Sequence, residues 1–165
     1  MPIPGIEQPE LIAISDTLRL RKYDGVFAFA LDWYLDPGLV YLVDGVRQPY
    51  TMEKLQRMYT YLHQQGELYW IEVFSNDHWR PVGDVTFWQQ DMPIVIGDPA
   101  CRGKGIGRRV VAILIQRGRT LGYDKLYVDQ IYHYNAASRK CFGSQGFVPY
   151  QETEKGISYV LDLNP

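Results

Sequence analysis

Apolar residues recur along this chain in two periods, and the switches between them mark out the elements. The stretch 11–22 ends in the alternation Leu18-Arg19-Leu20-Arg21, which reads as a first strand. Asp24 can then cap a helix whose apolar face is Phe27, Leu31, Tyr34 and Leu35, with Pro37-Gly38 as its stop and an irregular piece over 41–49. Thr51 heads a second helix in which Leu55, Met58, Tyr59 and Leu62 fall at i, i+3, i+4 and i+7, closed by Gly66. Two strands are expected over 67–74 and 81–88, joined as a hairpin by the polar turn Ser75-Asn-Asp-His78. The apolar run Met92-Pro-Ile-Val-Ile-Gly97 reads as a short buried strand. Ile106, Val110, Ile113, Leu114 and Leu121 then return to helical spacing, with Gly122 as a C-terminal stop. A strand over 125–132, a short helix capped by Asn135, and two last strands near 147–152 and 157–163 complete the pattern. The proline-rich residues 1–10 read as an N-terminal arm, and 11–165 as a single domain.

Composition narrows the class. A chain of 165 residues is the size of one domain with a real core, and 46% hydrophobic with 22% charged residues is ordinary for a globular protein. No apolar run is long enough to span a membrane, and the N-terminus lacks the basic and apolar regions of a secretory signal. Cys101 and Cys141 form no paired motif, which points to a reducing compartment, with the cytoplasm as the default. His63, His78 and His133 are scattered without ligand spacing, so no metal site is expected.

Charge changes the picture more. The segment 99–123 holds six basic residues and no acid, while the whole chain carries -2, leaving -8 elsewhere. A basic island in an acidic protein suits a local polyanionic ligand better than a nucleic-acid face. The island includes Cys101-Arg-Gly-Lys-Gly-Ile-Gly107, a glycine-rich turn between a strand and a helix. Glycine allows close backbone approach, and a helix N-terminus offers unpaired N–H groups to an anion. The dinucleotide pattern fails, because its third glycine would fall at Arg108, and the nucleotide P-loop fails because Gly105 follows Lys104 where Ser or Thr is required.

What does fit is Arg102-Gly-Lys-Gly105-Ile-Gly107, which resembles the acyl-CoA pyrophosphate loop of the GNAT superfamily of N-acetyltransferases. A second segment, Asn135-Ala-Ala-Ser138-Arg-Lys-Cys-Phe142-Gly-Ser-Gln-Gly146-Phe147, is similar to another part of that family in every spacing and at the expected distance. The resemblance runs from about Thr17 onward. It implies an α/β (α+β) fold, a central mixed and mostly antiparallel sheet of about seven strands flanked by about four helices. Within the superfamily, Leu18-Arg-Leu-Arg-Lys-Tyr and the stretch from Trp33-Tyr34 to Asp36-Pro37 look most like the branch of ribosomal-protein N-terminal and aminoglycoside 6'-N-acetyltransferases.

The resemblance implies acetyl-CoA as acyl donor and a primary amine as acceptor, whether a small molecule such as an aminoglycoside or polyamine, or a protein N-terminus. It places the pyrophosphate on the backbone of Gly103, Lys104, Gly105, Ile106, Gly107 and Arg108, with Arg102 beside it. The pantetheine arm would run along Ile94, Val95 and Ile96, and Asn135, Ser138 and Phe142 would line the same cleft. Attack needs a deprotonated amine, and the candidate bases are Asp91, Asp84 and Asp129; each also has a plain reading, in a turn or on a solvated edge. Phe142 is a departure, since the family often has a proton-donating tyrosine there. Trp33, Tyr34 and Asp36 are candidates for the acceptor side, where acidic and aromatic groups suit a cationic amine. The alternative on the same fold is a non-catalytic acyl-CoA-binding regulator or partner-binding module, which Phe142 favours. No nucleic-acid or membrane partner is expected, and a homodimer through a sheet edge is compatible with the pattern.

Overall fold

In the strand Glu67–Ser75, Leu68 and Trp70 face one way, Tyr69 and Ile71 the other, and all four are fully buried. A strand that is apolar on both faces needs cover on both. The computed structural model, which describes residues 1–164, supplies it. The elements are β1 (Leu11–Ser15), β2 (Leu18–Lys22), α1 (Leu31–Tyr34), α2 (Pro37–Asp44), α3 (Met52–Gln65), β3 (Glu67–Ser75), β4 (His78–Phe87), β5 (Ile94–Ile96), α4 (Ile106–Thr120), β6 (Lys125–Tyr132), α5 (Ala136–Ser144), β7 (Val148–Glu152) and β8 (Gly156–Asp162). Two antiparallel sheets result, ordered β1-β2-β3-β4-β5 and β6-β8-β7. Leu18, Leu20, Tyr69, Ile71 and Val85 meet Val110, Val111 and Leu114 of α4 on one face. On the other face Leu68 and Trp70 pack with Tyr34, Val40, Leu55, Tyr59 and Leu62 of α1, α2 and α3. Ile3 is buried against the first of these cores, and the Gln8 amide donates to the Leu68 carbonyl, so the first ten residues pack on the domain without forming a helix or strand.

Several local signals behave as expected. Thr51 Oγ1 accepts from the Lys54 N–H as the cap of α3, and the Asn135 side chain accepts from Ser138 at α5. Asn76 and Asp77 both take positive φ, 52° and 64°, the geometry of a two-residue hairpin turn between β3 and β4.

Three expectations are corrected. The stretch 11–22 is a hairpin and not one strand: Ser15 Oγ accepts from the Thr17 N–H in the turn, and alternation resumes in phase after it. Asp24 accepts from Val26 in a local turn, and the chain reaches α1 only after a 3-10 turn at Ala28–Ala30. Pro37-Gly38 does not end a helix but begins one. Asp36 is the cap of α2, accepting from the Gly38 N–H, and proline at the first helical position forfeits an N–H that would be unpaired anyway. The expected irregular piece is therefore helical as far as Asp44, where Gly45 stops it in the left-handed conformation.

The two sheets meet at one corner. The Tyr127 N–H donates to the Gln89 carbonyl, and the Asp129 N–H donates to Asp91 Oδ1. These contacts join the segment just before β5 to the middle of β6. No ladder joins β5 to β6, and a cleft opens between them. All recorded strand pairs are antiparallel, in sheets of five and three strands, where one mixed sheet of about seven was expected; the described residues form eight strands and five α-helices.

Candidate active site

The chain leaves β5 through a turn built for exposed backbone. Asp98 accepts from the Ala100 N–H and pairs with Arg80 at 2.6 Å, which sets the direction of exit. Gly103 and Gly105 follow with φ of +73° and +78°, and a Cβ at either would meet nothing within 4 Å. Gly105 caps the fifteen-residue α4 without any side-chain acceptor. Among the described residues, no protein group accepts from the backbone N–H of Gly103 to Arg108. Bare N–H groups, an aligned helix dipole and open space fit an anion such as a diphosphate.

Beyond this turn lies a cleft of about 770 Å³. Ile94, Val95 and Ile96 form one wall, Val128 to Tyr132 the other, and Phe142 closes part of its floor, buried edge-on against Phe147. Asn135 and Ser138 line it from the start of α5. Arg108 is exposed at the mouth, with Lys140 across from it on α5. Cys141 also lines it, and burial pushes its thiol up, so it is a packing group and no nucleophile.

Three carboxylates were candidates for proton transfer, and they fall in three environments. Asp91 lines the cleft where the sheets join. Its Oδ1 accepts from the Met92 and Asp129 N–H groups, and among the described residues Oδ2 has no donor. Burial raises its pKa, against the lowering effect of those two N–H groups. Asp129 is exposed and contributes only its N–H. Asp84 is not on a solvated edge but only 2% exposed, with Oδ2 accepting from the Tyr34 and Tyr59 hydroxyls at 2.8 Å each. Burial without a cation pushes its pKa up to about 6, although the two hydroxyls oppose the rise.

The sequence profile of the acetyltransferase (GNAT) family matches residues 28–147, most of the chain including both walls of the cleft. The chain belongs to the GNAT acetyltransferase family. No curated protein matches it in sequence. Solved structures match it in fold. A domain from Methanocaldococcus jannaschii aligns with a TM-score of 0.76 at 23% identity, covering 88% of this chain and 98% of that one. An acetyl transferase from Salmonella typhimurium that modifies the N-terminal serine of a 50S ribosomal subunit protein aligns at 0.69 and 18% identity, covering 94% and 100%. The aminoglycoside acetyltransferase AAC(6')-Ib in complex with coenzyme A aligns at 0.70 and 16% identity, covering 89% and 95%. This GNAT enzyme is therefore an acetyl-CoA-dependent acyltransferase, and a non-catalytic module on the same fold is not favoured. None of its helices is long and apolar enough to cross a membrane, among the described residues.

Two expectations about the acetyltransferase site need revising. Arg102 lines the cleft, but its side chain is also engaged: it donates to the carbonyls of Ile96 and Gly97 at 2.9 and 3.3 Å and lies 3.9 Å from Asp36, which ties down the end of β5. Tyr34 is not an acceptor contact, because it is 1% exposed and its hydroxyl is spent on Asp84. Trp33 packs against Gly97, where a Cβ would lie 2.2 Å from the indole, which makes that glycine a packing requirement. Asp36 is the α2 cap, 3.9 Å from Arg102, and is not among the residues lining the cleft.

Sequence reasoning missed Leu39, Leu42 and Val43, which line the cleft from α2, a helix it did not expect. It also missed Gln130 and Lys140. Lys140 was within reach of a spacing argument: Ala137, Lys140 and Cys141 fall at i, i+3 and i+4 on one face of the Asn135-capped helix.

Proposed function

We propose that this acetyltransferase moves an acetyl group to a primary amine in the cleft between β5 and β6, with Asp91 as the general base. The backbone N–H groups of Gly103 to Arg108 hold the diphosphate of acetyl-CoA, with Arg108 and Lys140 adding charge at the mouth. Acetyl-CoA supplies the thioester carbonyl, and β5, unpaired on its β6 side, offers its backbone to a linear amide chain as an added strand would. An ammonium has no lone pair, so the acceptor must lose a proton before it can react. Asp91 Oδ2 is the oxygen free to take that proton, on a cleft-lining carboxylate whose pKa burial raises. That single arrangement carries the choice of Asp91 over its rivals. Asp84 is sealed behind two tyrosines.

Phe142 carries no proton, and the thiol leaving group needs none from the protein, since its ordinary pKa near 8.5 makes the thiolate a tolerable leaving group. Asp91 gives the cleft a carboxylate, which supports a cationic amine of the kinds named for the ribosomal-protein and aminoglycoside enzymes of similar fold. Two free cysteines and the use of acetyl-CoA support a cytoplasmic setting.

The test is free-thiol release from acetyl-CoA, with a panel of aminoglycosides, polyamines and peptides with free N-termini, alongside a coenzyme A titration. Turnover with one class of amine is the expected result and identifies the acceptor. Coenzyme A binding with no thiol release across the panel would refute the primary-amine reading.

A further inference from the structure

The ladder between β6 and β8 passes from Val128 opposite Tyr159 to Ile131 opposite Ile157, so Asp129 and Gln130 together face Ser158 alone. This is a β-bulge, which breaks the alternation of a strand and re-aims its groups. Asp129 and Gln130 are both exposed in consequence. The Asp129 N–H goes to Asp91 Oδ1, and Gln130 lines the cleft.

The turn between β7 and β8 holds the Gln130 amide in one orientation. Thr153 Oγ1 accepts from the Gly156 N–H and donates to Gln130 Oε1 at 2.9 Å; the Gly156 carbonyl, 3.1 Å away, already accepts from the Thr153 N–H. His133 ties down the same turn, its Nε2 3.1 Å from the Thr153 carbonyl. The Gln130 stem passes close over Gly156, where a Cβ would lie 2.8 Å from its Cγ. With Oε1 occupied, the amide presents its N–H groups, and among the described residues they have no protein acceptor.

The rest of the lining limits what meets that donor. Among the described residues lining the cleft, Asp91 is the one acid, against Arg102, Arg108 and Lys140. A polyamine or an aminoglycoside carries several ammonium groups, and all but one would enter without a counter-charge. Leu39, Leu42 and Val43 give the α2 wall no polar side chain. Base strength points the same way: an alkyl ammonium with pKa about 10.4 resists deprotonation about 300-fold more than a peptide α-ammonium with pKa about 7.9.

We propose that the acceptor is the free N-terminus of a peptide with an uncharged first side chain, and that Gln130 is the specificity-determining residue, donating to the first carbonyl oxygen while Asp91 serves the amine. This rests on the cleft being the site of acetyl transfer. Of the two protons the ammonium loses, the first passes to Asp91 before attack. The second leaves with the thiolate, once the C–N bond has formed and the C–S bond has broken.

The test titrates the coenzyme A-loaded protein with a tetrapeptide beginning with alanine, with its analogue carrying an E-alkene in place of the first peptide bond, with spermidine and with kanamycin. Thiol release from acetyl-CoA is measured with the same compounds. Wild type is expected to bind and turn over the peptide, and to bind the alkene analogue about 10-fold more weakly. Gln130→Ala should raise the peptide Kd and KM about 10-fold and leave binding of the analogue unchanged, and Gln130→Glu, which has no N–H to donate, should do no better. Thr153→Val, which frees the amide to turn, should cost about 3-fold, with coenzyme A affinity within about 2-fold of wild type in every variant. Equal binding of peptide and analogue by wild type would overturn the proposal. Peptide binding by Gln130→Glu as tight as wild type would overturn it too, by showing that position 130 accepts from the ammonium. Turnover of spermidine or kanamycin in preference to the peptide would overturn the acceptor class and leave the acetyl-transfer site in place. Gln130-dependent peptide binding with no thiol release from any amine would support the Gln130 contact and contradict acetyl transfer in the cleft.

Discussion

The two sides of the cleft are made of different material. The anion side is backbone: Gly103 and Gly105 in left-handed conformations, a fifteen-residue helix, and six consecutive N–H groups without protein acceptors. The opposite side is side chains brought together by the fold: Asp91 with the Asp129 N–H, and Leu39, Leu42 and Val43 of α2. A backbone cradle depends on a few glycines in a row and binds whatever carries a diphosphate. A side-chain wall depends on the whole fold, and each contact can change without disturbing the cradle. On the proposed site, cofactor binding and acceptor choice are therefore expected to be separable.

The largest expected effect attacks the cradle. Gly105→Asp puts a Cβ where φ is +78° and a negative charge among the bare N–H groups, so coenzyme A affinity should fall by about 100-fold or more, roughly 3 kcal/mol. Undiminished binding by the folded variant would show that the diphosphate lies elsewhere. On the other side, Asp91→Asn keeps an oxygen for the Met92 and Asp129 N–H groups but cannot take a proton. Turnover should drop about 100-fold with coenzyme A affinity unchanged. Because burial raises the Asp91 pKa, the wild-type rate should climb with pH through that ionisation, and the variant's profile should lose the limb. A variant with the wild-type rate and profile would remove Asp91 as base.

Asp84 sharpens the contrast from within the core. Glu67 and Glu72 are also buried acids, yet Arg117 holds the first, and Arg19 and Arg21 the second. Asp84 has only hydroxyls, and its folded pKa of about 6 lies above the unfolded value of 3.8. Between those values the folded state holds a proton that the unfolded state has lost, so stability falls as pH rises from about 4 to 6 and levels off above. The cost of ionised Asp84 at neutral pH is on the order of 3 kcal/mol. In Asp84→Asn the melting temperature should lose several degrees less than wild type between pH 4.5 and 7, about 2–4 °C for each kcal/mol. Equal slopes for the two proteins would show that Asp84 is ionised at little cost. The smallest effect is at the rim: Lys140→Ala should weaken coenzyme A binding only about 2- to 5-fold at low ionic strength, a difference that vanishes in high salt.

The same division explains what could be read before the fold was seen. Gly103, Gly105, Asn135 and Thr51 act on backbone within a few residues, so the glycine turn and the two helix caps were legible from them. Asp36-Pro37-Gly38 was ambiguous, because proline and glycine mark both the end of one helix and the start of the next; the Asp36 cap decides for a start. With α2 unrecognised, its wall of the cleft was invisible. Asp84 and Tyr34 are fifty residues apart, and no periodicity links them; a lone Asp in a strand looked solvated until two tyrosines closed over it. Arg102 shows the limit of carrying over a motif, since its position in the loop was right and its side chain turned to β5.

The measurement that bears most directly on this account is thiol release from acetyl-CoA by wild type, Asp91→Asn and Gly105→Asp side by side, each with its coenzyme A affinity. The account predicts turnover with a primary amine in wild type, binding without turnover in Asp91→Asn, and neither in Gly105→Asp. Turnover by Asp91→Asn at the wild-type rate, or normal coenzyme A binding by Gly105→Asp, would contradict it.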